Sequence, residues 1–135
     1  MKVFNDYTIT TAHLKGSELS ETFQIDKGII TEAGIFFPPG CHSMIYAKIF
    51  FQEHQILPRN QEAWCHGNAG WWTGKLFFPV DAAPLNIKVI AYALNTSFPH
   101  TITAAIELSP FNIHPRWQEL LEYAKEIAVL LGGGD

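Results

Sequence analysis

Two Cys-His dipeptides, Cys41-His42 and Cys65-His66, stand out because two thiolates and two imidazoles are the ligand set of a tetrahedral zinc site. Their spacing argues against a zinc site. Structural zinc sites draw on C-x2-4-C and H-x3-5-H pairs, whereas adjacent residues on an extended chain point to opposite sides. The two cysteines are therefore read as small buried hydrophobes. His42, Glu53, His54, His66 and His100 supply the residue types of a cupin, a jelly roll that gathers histidines and a carboxylate inside its barrel. No His-x-His pair places two of them on one strand face, so each is read as a turn or surface histidine. No metal or cofactor is expected.

Trp64, Trp71 and Trp72 lie close in sequence to His66 and Asn68. Together they suggest a sugar platform, because aromatic rings cover the apolar face of a pyranose while amides bond its hydroxyls. Adjacent tryptophans on a strand face opposite ways, so at most one of Trp71 and Trp72 belongs to any one platform. The competing reading puts one in the core and the other in a subunit interface. G-x-S-x-G, G-x-G-x-x-G and Walker patterns are missing, and Asn95-Thr96-Ser97 is read as a turn, not a glycosylation acceptor. No catalytic residue is assigned.

These side chains need a β framework. Residues 87–94 put Ile87, Val89, Ala91 and Ala93 on one face and Ile90, Tyr92 and Leu94 on the other, both apolar. Ile102, Ala104, Ile106 and Leu108 alternate with Thr101, Thr103, Ala105, Glu107 and Ser109, as in a half-buried strand. With Asn95-Thr96-Ser97-Phe98-Pro99 between them, the two arms predict an interior hairpin. Upstream, residues 1–21 read as an N-terminal arm or edge strand, and regular alternation starts at Thr22. Pro38-Pro39-Gly40 suits a type II turn between strands 29–37 and 42–52. Residues 58–68 read as a loop, and Gly74 suggests a bulge or tight turn within 69–79.

Seven or eight strands in this arrangement predict a mainly β fold, an antiparallel sandwich resembling a jelly roll over residues 22–110. Residues 111–135 differ in kind. From Pro115, residues Trp117, Leu120, Leu121, Ala124, Ile127, Ala128 and Leu131 recur at three- and four-residue steps, predicting an amphipathic C-terminal helix ended by Gly132-Gly133-Gly134. Its apolar end includes Val129 and Leu130. That stripe must dock on its own sandwich or on a neighbouring subunit.

At 135 residues the chain is the size of one domain, and its charged fraction of 16% is well below the usual quarter. The shortage of solubilising charge points to surface covered by another copy. A net charge of −4 with scattered basic residues disfavours nucleic acid, and no run is long and apolar enough to span a membrane. The start, Met1-Lys2-Val3-Phe4-Asn5-Asp6, turns polar instead of entering an apolar signal region, so synthesis in the cytoplasm is expected.

The run Ile29-Ile30-Thr31-Glu32-Ala33-Gly34-Ile35-Phe36-Phe37-Pro38-Pro39-Gly40-Cys41, the segment Gln55-Ile56-Leu57-Pro58-Arg59-Asn60, and Ala91-Tyr92-Ala93-Leu94-Asn95 with Pro99-His100-Thr101-Ile102 resemble small β-sandwich virion proteins of prokaryotic viruses. The resemblance covers residues 22–110. It implies a non-enzymatic capsid, decoration or tail-associated component that self-assembles into a homo-oligomer or with other virion subunits. A carbohydrate-binding module, with a glycan as ligand, is the alternative, and a cupin-like metal enzyme the third reading. Trp64, Trp71, Trp72, Trp117, Leu121, Ile127, Val129, Leu130 and Leu131 are the candidate binding or interface residues.

Overall fold

The structure, a computed structural model, describes residues 1–110. The expected C-terminal helix, with Trp117, Leu121, Ile127, Val129, Leu130 and Leu131, lies outside the described residues. Eight strands follow in order: β1 (Lys2–Ile9), β2 (Leu19–Gln24), β3 (Gly28–Phe37), β4 (Ile45–Phe51), β5 (His54–Leu57), β6 (Gly70–Val80), β7 (Asn86–Ala93) and β8 (His100–Ser109). They form two antiparallel sheets of four, ordered β1-β8-β3-β6 and β2-β7-β4-β5. The pairs β1·β8, β2·β7, β3·β6 and β4·β5 make one long hairpin folded at β4–β5, and β3·β8 and β4·β7 close it into two layers.

The expected hairpin of residues 87–94 and 101–109 is not a pair at all. β7 lies between β2 and β4 in the second sheet, and β8 between β1 and β3 in the first. Consecutive strands with a short connector look like a hairpin in sequence, but both hydrogen-bonding edges of each are taken by other strands. A connection of a few residues spans the roughly 10 Å between stacked sheets. Central position in two sheets also explains why neither strand carries much charge.

Alternation builds the core. The inward residues Ile35 and Phe37 of β3, Ile45 and Ile49 of β4, Ile87 and Val89 of β7, and Ile102 and Ile106 of β8 are buried in one cluster between the sheets. Among the described residues no polar or charged side chain is buried. β-Branched residues dominate because their stiff side chains pack well on a pleated surface. At the margin Tyr7 and Phe23 pack against this core. Burial, with a further push from Glu21, raises the Tyr7 phenol from 10.0 to about 12.

Two boundaries and the place of one irregularity differ from expectation. The strand expected over 42–52 starts at Ile45, because His42 (φ 48°) and Ser43 (φ 59°) take left-handed backbone and Met44 N–H donates to the Cys41 carbonyl at 2.8 Å. Gly74 does not interrupt β6, where it pairs in register with Ala33. Space is tight there, since a Cβ would lie 3.0 Å from Leu57 Cδ1 of the opposite sheet and that side chain would have to shift. The irregularity falls at Thr31: Ile30 faces Phe78 and Glu32 faces Lys75, while on the other side Ile30 and Glu32 face the adjacent residues Leu108 and Glu107. Finally, β2 begins at Leu19, earlier than the alternation from Thr22 suggests. The Pro38-Pro39-Gly40 turn is as predicted, with Gly40 at φ 96° and Cys41 N–H donating to the Pro38 carbonyl at 3.4 Å.

Candidate functional site

The winding sends loops 10–18, 38–44, 58–69 and 94–99 to one end of the molecule, where β1, β3, β5 and β7 finish. Backbone hydrogen bonds lace these loops together. Ala93 N–H donates to the His13 carbonyl at 2.6 Å, Leu94 N–H to the Met44 carbonyl at 2.8 Å, and Ser43 N–H to the Gly67 carbonyl at 3.1 Å. Asn68 Oδ1 accepts from the Gly40 and His42 amides at 2.9 and 3.1 Å. Four large apolar side chains are exposed at this end, Phe98 at 72%, Leu14 at 51%, Leu94 at 46% and Met44, among exposed polar and charged ones such as Lys15, Arg59, Asn60 and Glu62. Asn68, grouped with the tryptophans on sequence grounds, is a clasp between two loops.

The three tryptophans do not converge. Trp72 turns inward and packs against the core. Trp64 lies on the outer face of the second sheet, beside the bridge between Ala47 and Cys65. Its ring meets Tyr92 edge-on at 4.9 Å and lies under the Lys48 ammonium at 4.4 Å. Tyr92 stacks on Tyr46 at 5.0 Å, and Tyr46 neighbours His66 at 5.3 Å. Burial, then Tyr46 and Glu18, raise the Tyr92 phenol above its ordinary value. These rings already cover one another, so this face is a finished aromatic layer.

Trp71 is the outward member of its pair and stands on the opposite face of the molecule, 49% exposed and 5.4 Å from Phe36. Strand register arranges this outer face of the first sheet in rows. Lys2, Glu107, Glu32 and Lys75 face one another across β1, β8, β3 and β6; the next row is Phe4, Ala105, Gly34 and Thr73; the next is Asp6, Thr103, Phe36 and Trp71. Two small residues, Ala105 and Gly34, thus fall on the two central strands, between Phe4 (54% exposed) and Trp71. The result is a groove of about 340 Å³. Gly34 is needed for its shape, since a Cβ there would meet Thr73 Cγ2 at 2.9 Å and Trp71 Cε3 at 3.4 Å. Glu32 and Glu107 line one end, with Lys2 Nζ 3.8 Å from Glu107 Oε2.

Metal-ligating groups are dispersed. Among the described residues no three His, Cys, Asp or Glu side chains gather as a metal site. Cys41 and Cys65 are free and buried, and burial raises both thiols, that of Cys65 from 9.0 to about 12. His42, His54 and His66 are exposed. Phe4, Gly34 and Ala105 escaped sequence reasoning because only register brings them together. The outward alternation of β1 and β8 was their one available signal.

No protein-family model matches the chain, and no curated protein matches it. Among solved structures, the crystal structure of FLHE is similar over 78% of this chain and 94% of that one, at 9% identity and a TM-score of 0.37.

Proposed function

We propose that this chain is a non-enzymatic, self-associating structural protein: a jelly roll that works by packing against copies of itself or other subunits, as a component of a virion. The strand order β1-β8-β3-β6 over β2-β7-β4-β5 is that of an eight-stranded jelly roll, an architecture used in viral capsids as well as in lectins and cupins. The observation that carries the reading is the set of exposed apolar side chains at the loop end. Leu14, Met44, Leu94 and Phe98 stand in water on loops that hydrogen bonds hold together. Large apolar side chains left exposed on loops tied to one another favour an interaction surface, and covering a phenylalanine alone contributes about 1.5–3 kcal/mol.

The test is mass against concentration by light scattering, on the full chain and on a Leu94→Ser, Phe98→Asp variant. The parent should form a defined oligomer, and the variant should be a monomer with an unchanged melting temperature, since both side chains lie outside the core. A parent that stays at 15.2 kDa at high concentration would sink the proposal.

A further inference from the structure

A second surface, remote from the loop end, has the chemistry of a ligand site. The groove on the outer face of the first sheet has a floor without bulky side chains, Gly34 and Ala105, and an exposed aromatic ring to either side, Phe4 and Trp71. Its polar groups collect at one end. Glu32 is half-buried and its carboxylate has no hydrogen bond or ion pair among the described residues, while Glu107 has only the long contact with Lys2.

From these features we propose that the groove binds the ring of a neutral pyranose. Its apolar C–H face lies against Trp71 and over the floor, and its hydroxyls donate to Glu32 and Glu107 and accept from Lys2. Three observations select this ligand. Exposed aromatic surface beside free hydrogen-bond acceptors matches a molecule with one apolar face and a hydroxylated edge. Among the residues that line the groove two carboxylates stand against one ammonium, Lys75 of the same row lying outside the lining, and this disfavours uronic and sialic acids. Phe4 and Trp71 rise from the two edge strands of the sheet, and the edge of the Trp71 ring reaches toward Gly34, so aromatic surface and small-residue floor form one apolar face on which a flat ring can lie.

The site differs from the platform considered from sequence, Trp64 with one of Trp71 and Trp72, because only Trp71 belongs to it. It also leaves the loop end free, so a self-associated particle would display one groove per subunit. Weak sites so displayed act together through avidity.

Saturation-transfer NMR on the full chain tests the proposal and tolerates an oligomer. The probes are methyl glycosides of glucose, galactose and mannose, with methyl glucuronide as the charged comparison. At least one neutral glycoside should receive saturation, strongest on the protons of one ring face, and the glucuronide should not. Trp71→Ala should abolish the transfer, and so should Ala105→Leu, which fills the floor from the outer face. Glu32→Gln should weaken binding roughly tenfold. Melting curves matching the parent would show that each variant is folded; should either not match, Thr73→Trp crowds the groove from an exposed position. No transfer to any neutral glycoside overturns the proposal, as does transfer that survives in folded groove variants or a glucuronide that binds equally well.

Discussion

The same one-methyl change at two glycines of β3 should have opposite consequences, because the added carbon meets backbone at one and turnable side chains at the other. At Gly28 a Cβ would lie 2.6 Å from the carbonyl oxygen of Ser109 and 3.2 Å from both Cδ1 and Cγ of Leu108. A carbon rests against a carbonyl oxygen at about 3.3 Å or more, so β3 and β8 must part by roughly 0.7 Å. They part where Ile29 faces Ser109 and Ile30 faces the buried Leu108. Such overpacking costs about 1–3 kcal/mol, of which a Gly→Ala change in a strand recovers about 0.5–1 kcal/mol. From the middle of both ranges, Gly28→Ala should lose about 1–2 kcal/mol and melt about 3–8 °C lower. At Gly34 the neighbours are Thr73 Cγ2 at 2.9 Å and the edge of the Trp71 ring, on the solvent side of the sheet. Turning Thr73 costs about 0.5–1.5 kcal/mol, nearly cancelled by the same recovery. Gly34→Ala should melt within a few degrees of the parent while altering the groove. Thermal unfolding by circular dichroism, with urea titration to check that the m-value is unchanged, measures both. If Gly28→Ala melts no lower than Gly34→Ala, the close approach of β3 to β8 is not what requires glycine.

Alkaline pH should destabilise the fold through two weak acids, the partly buried Tyr7 and the buried Cys65. Tyr7 and Cys65 keep their protons to about pH 12 in the folded chain but lose them near 10.0 and 9.0 when unfolded, so the unfolded state binds fewer protons and stability falls between those limits. The contribution is intact below pH 9, and Tyr7→Phe should flatten the part of the urea-stability profile above pH 10. A thiol reagent at pH 8 should leave Cys65 unmodified until denaturant is added, and prompt labelling of the native protein would contradict its burial. Ala69 holds left-handed backbone at φ 55° on the surface, so Ala69→Gly should raise stability by about 0.5–1 kcal/mol in urea titration. Asn68→Ala should cost about 1–2 kcal/mol for two lost acceptor bonds, and Asn68→Asp clearly less, because a carboxylate still accepts from both amides.

Alternation made several strands legible. The inward sets Ile87, Val89, Ala91 and Ala93, and Ile102, Ala104, Ile106 and Leu108, follow the two-residue period read from sequence. Pro38-Pro39-Gly40 was legible because its turn type follows from two local φ requirements. Pairing was not. Alternation says which face a residue takes and nothing about which strand lies beside it, so β7 and β8 look like partners although other strands hold all four of their edges. For the same reason the opposite facing of Trp71 and Trp72 was legible, while which of them points outward, and the groove beside it, were not. Phe4, Gly34 and Ala105 come from three separated segments that meet only through the register of β1, β8 and β3. Gly74 shows a further limit, since a glycine where space is tight reads in sequence like one kept for a bend.

The winding of the sheets also sets a timetable for synthesis. β1 has one partner, β8, which begins at His100; Asp6 and Thr103, joined by a hydrogen bond, lie 97 positions apart. At about 5–20 residues per second the ribosome needs roughly 5–20 s between making the first strand and making its partner. Throughout that interval β1 has no neighbour, and β3 has one edge open where β8 will insert. The hairpin β4–β5 closes at once, β6 can then join β3, and β7 can join β4 and β2, so the second sheet is complete while the first still lacks its centre. The last strand to arrive is thus the one that locks the first into place. A pause in translation before His100 would hold two bare strand edges in the crowded exit region of the ribosome, where contact with other nascent chains competes with folding. Only when β8 has left the ribosome does every described strand of both sheets have its partner.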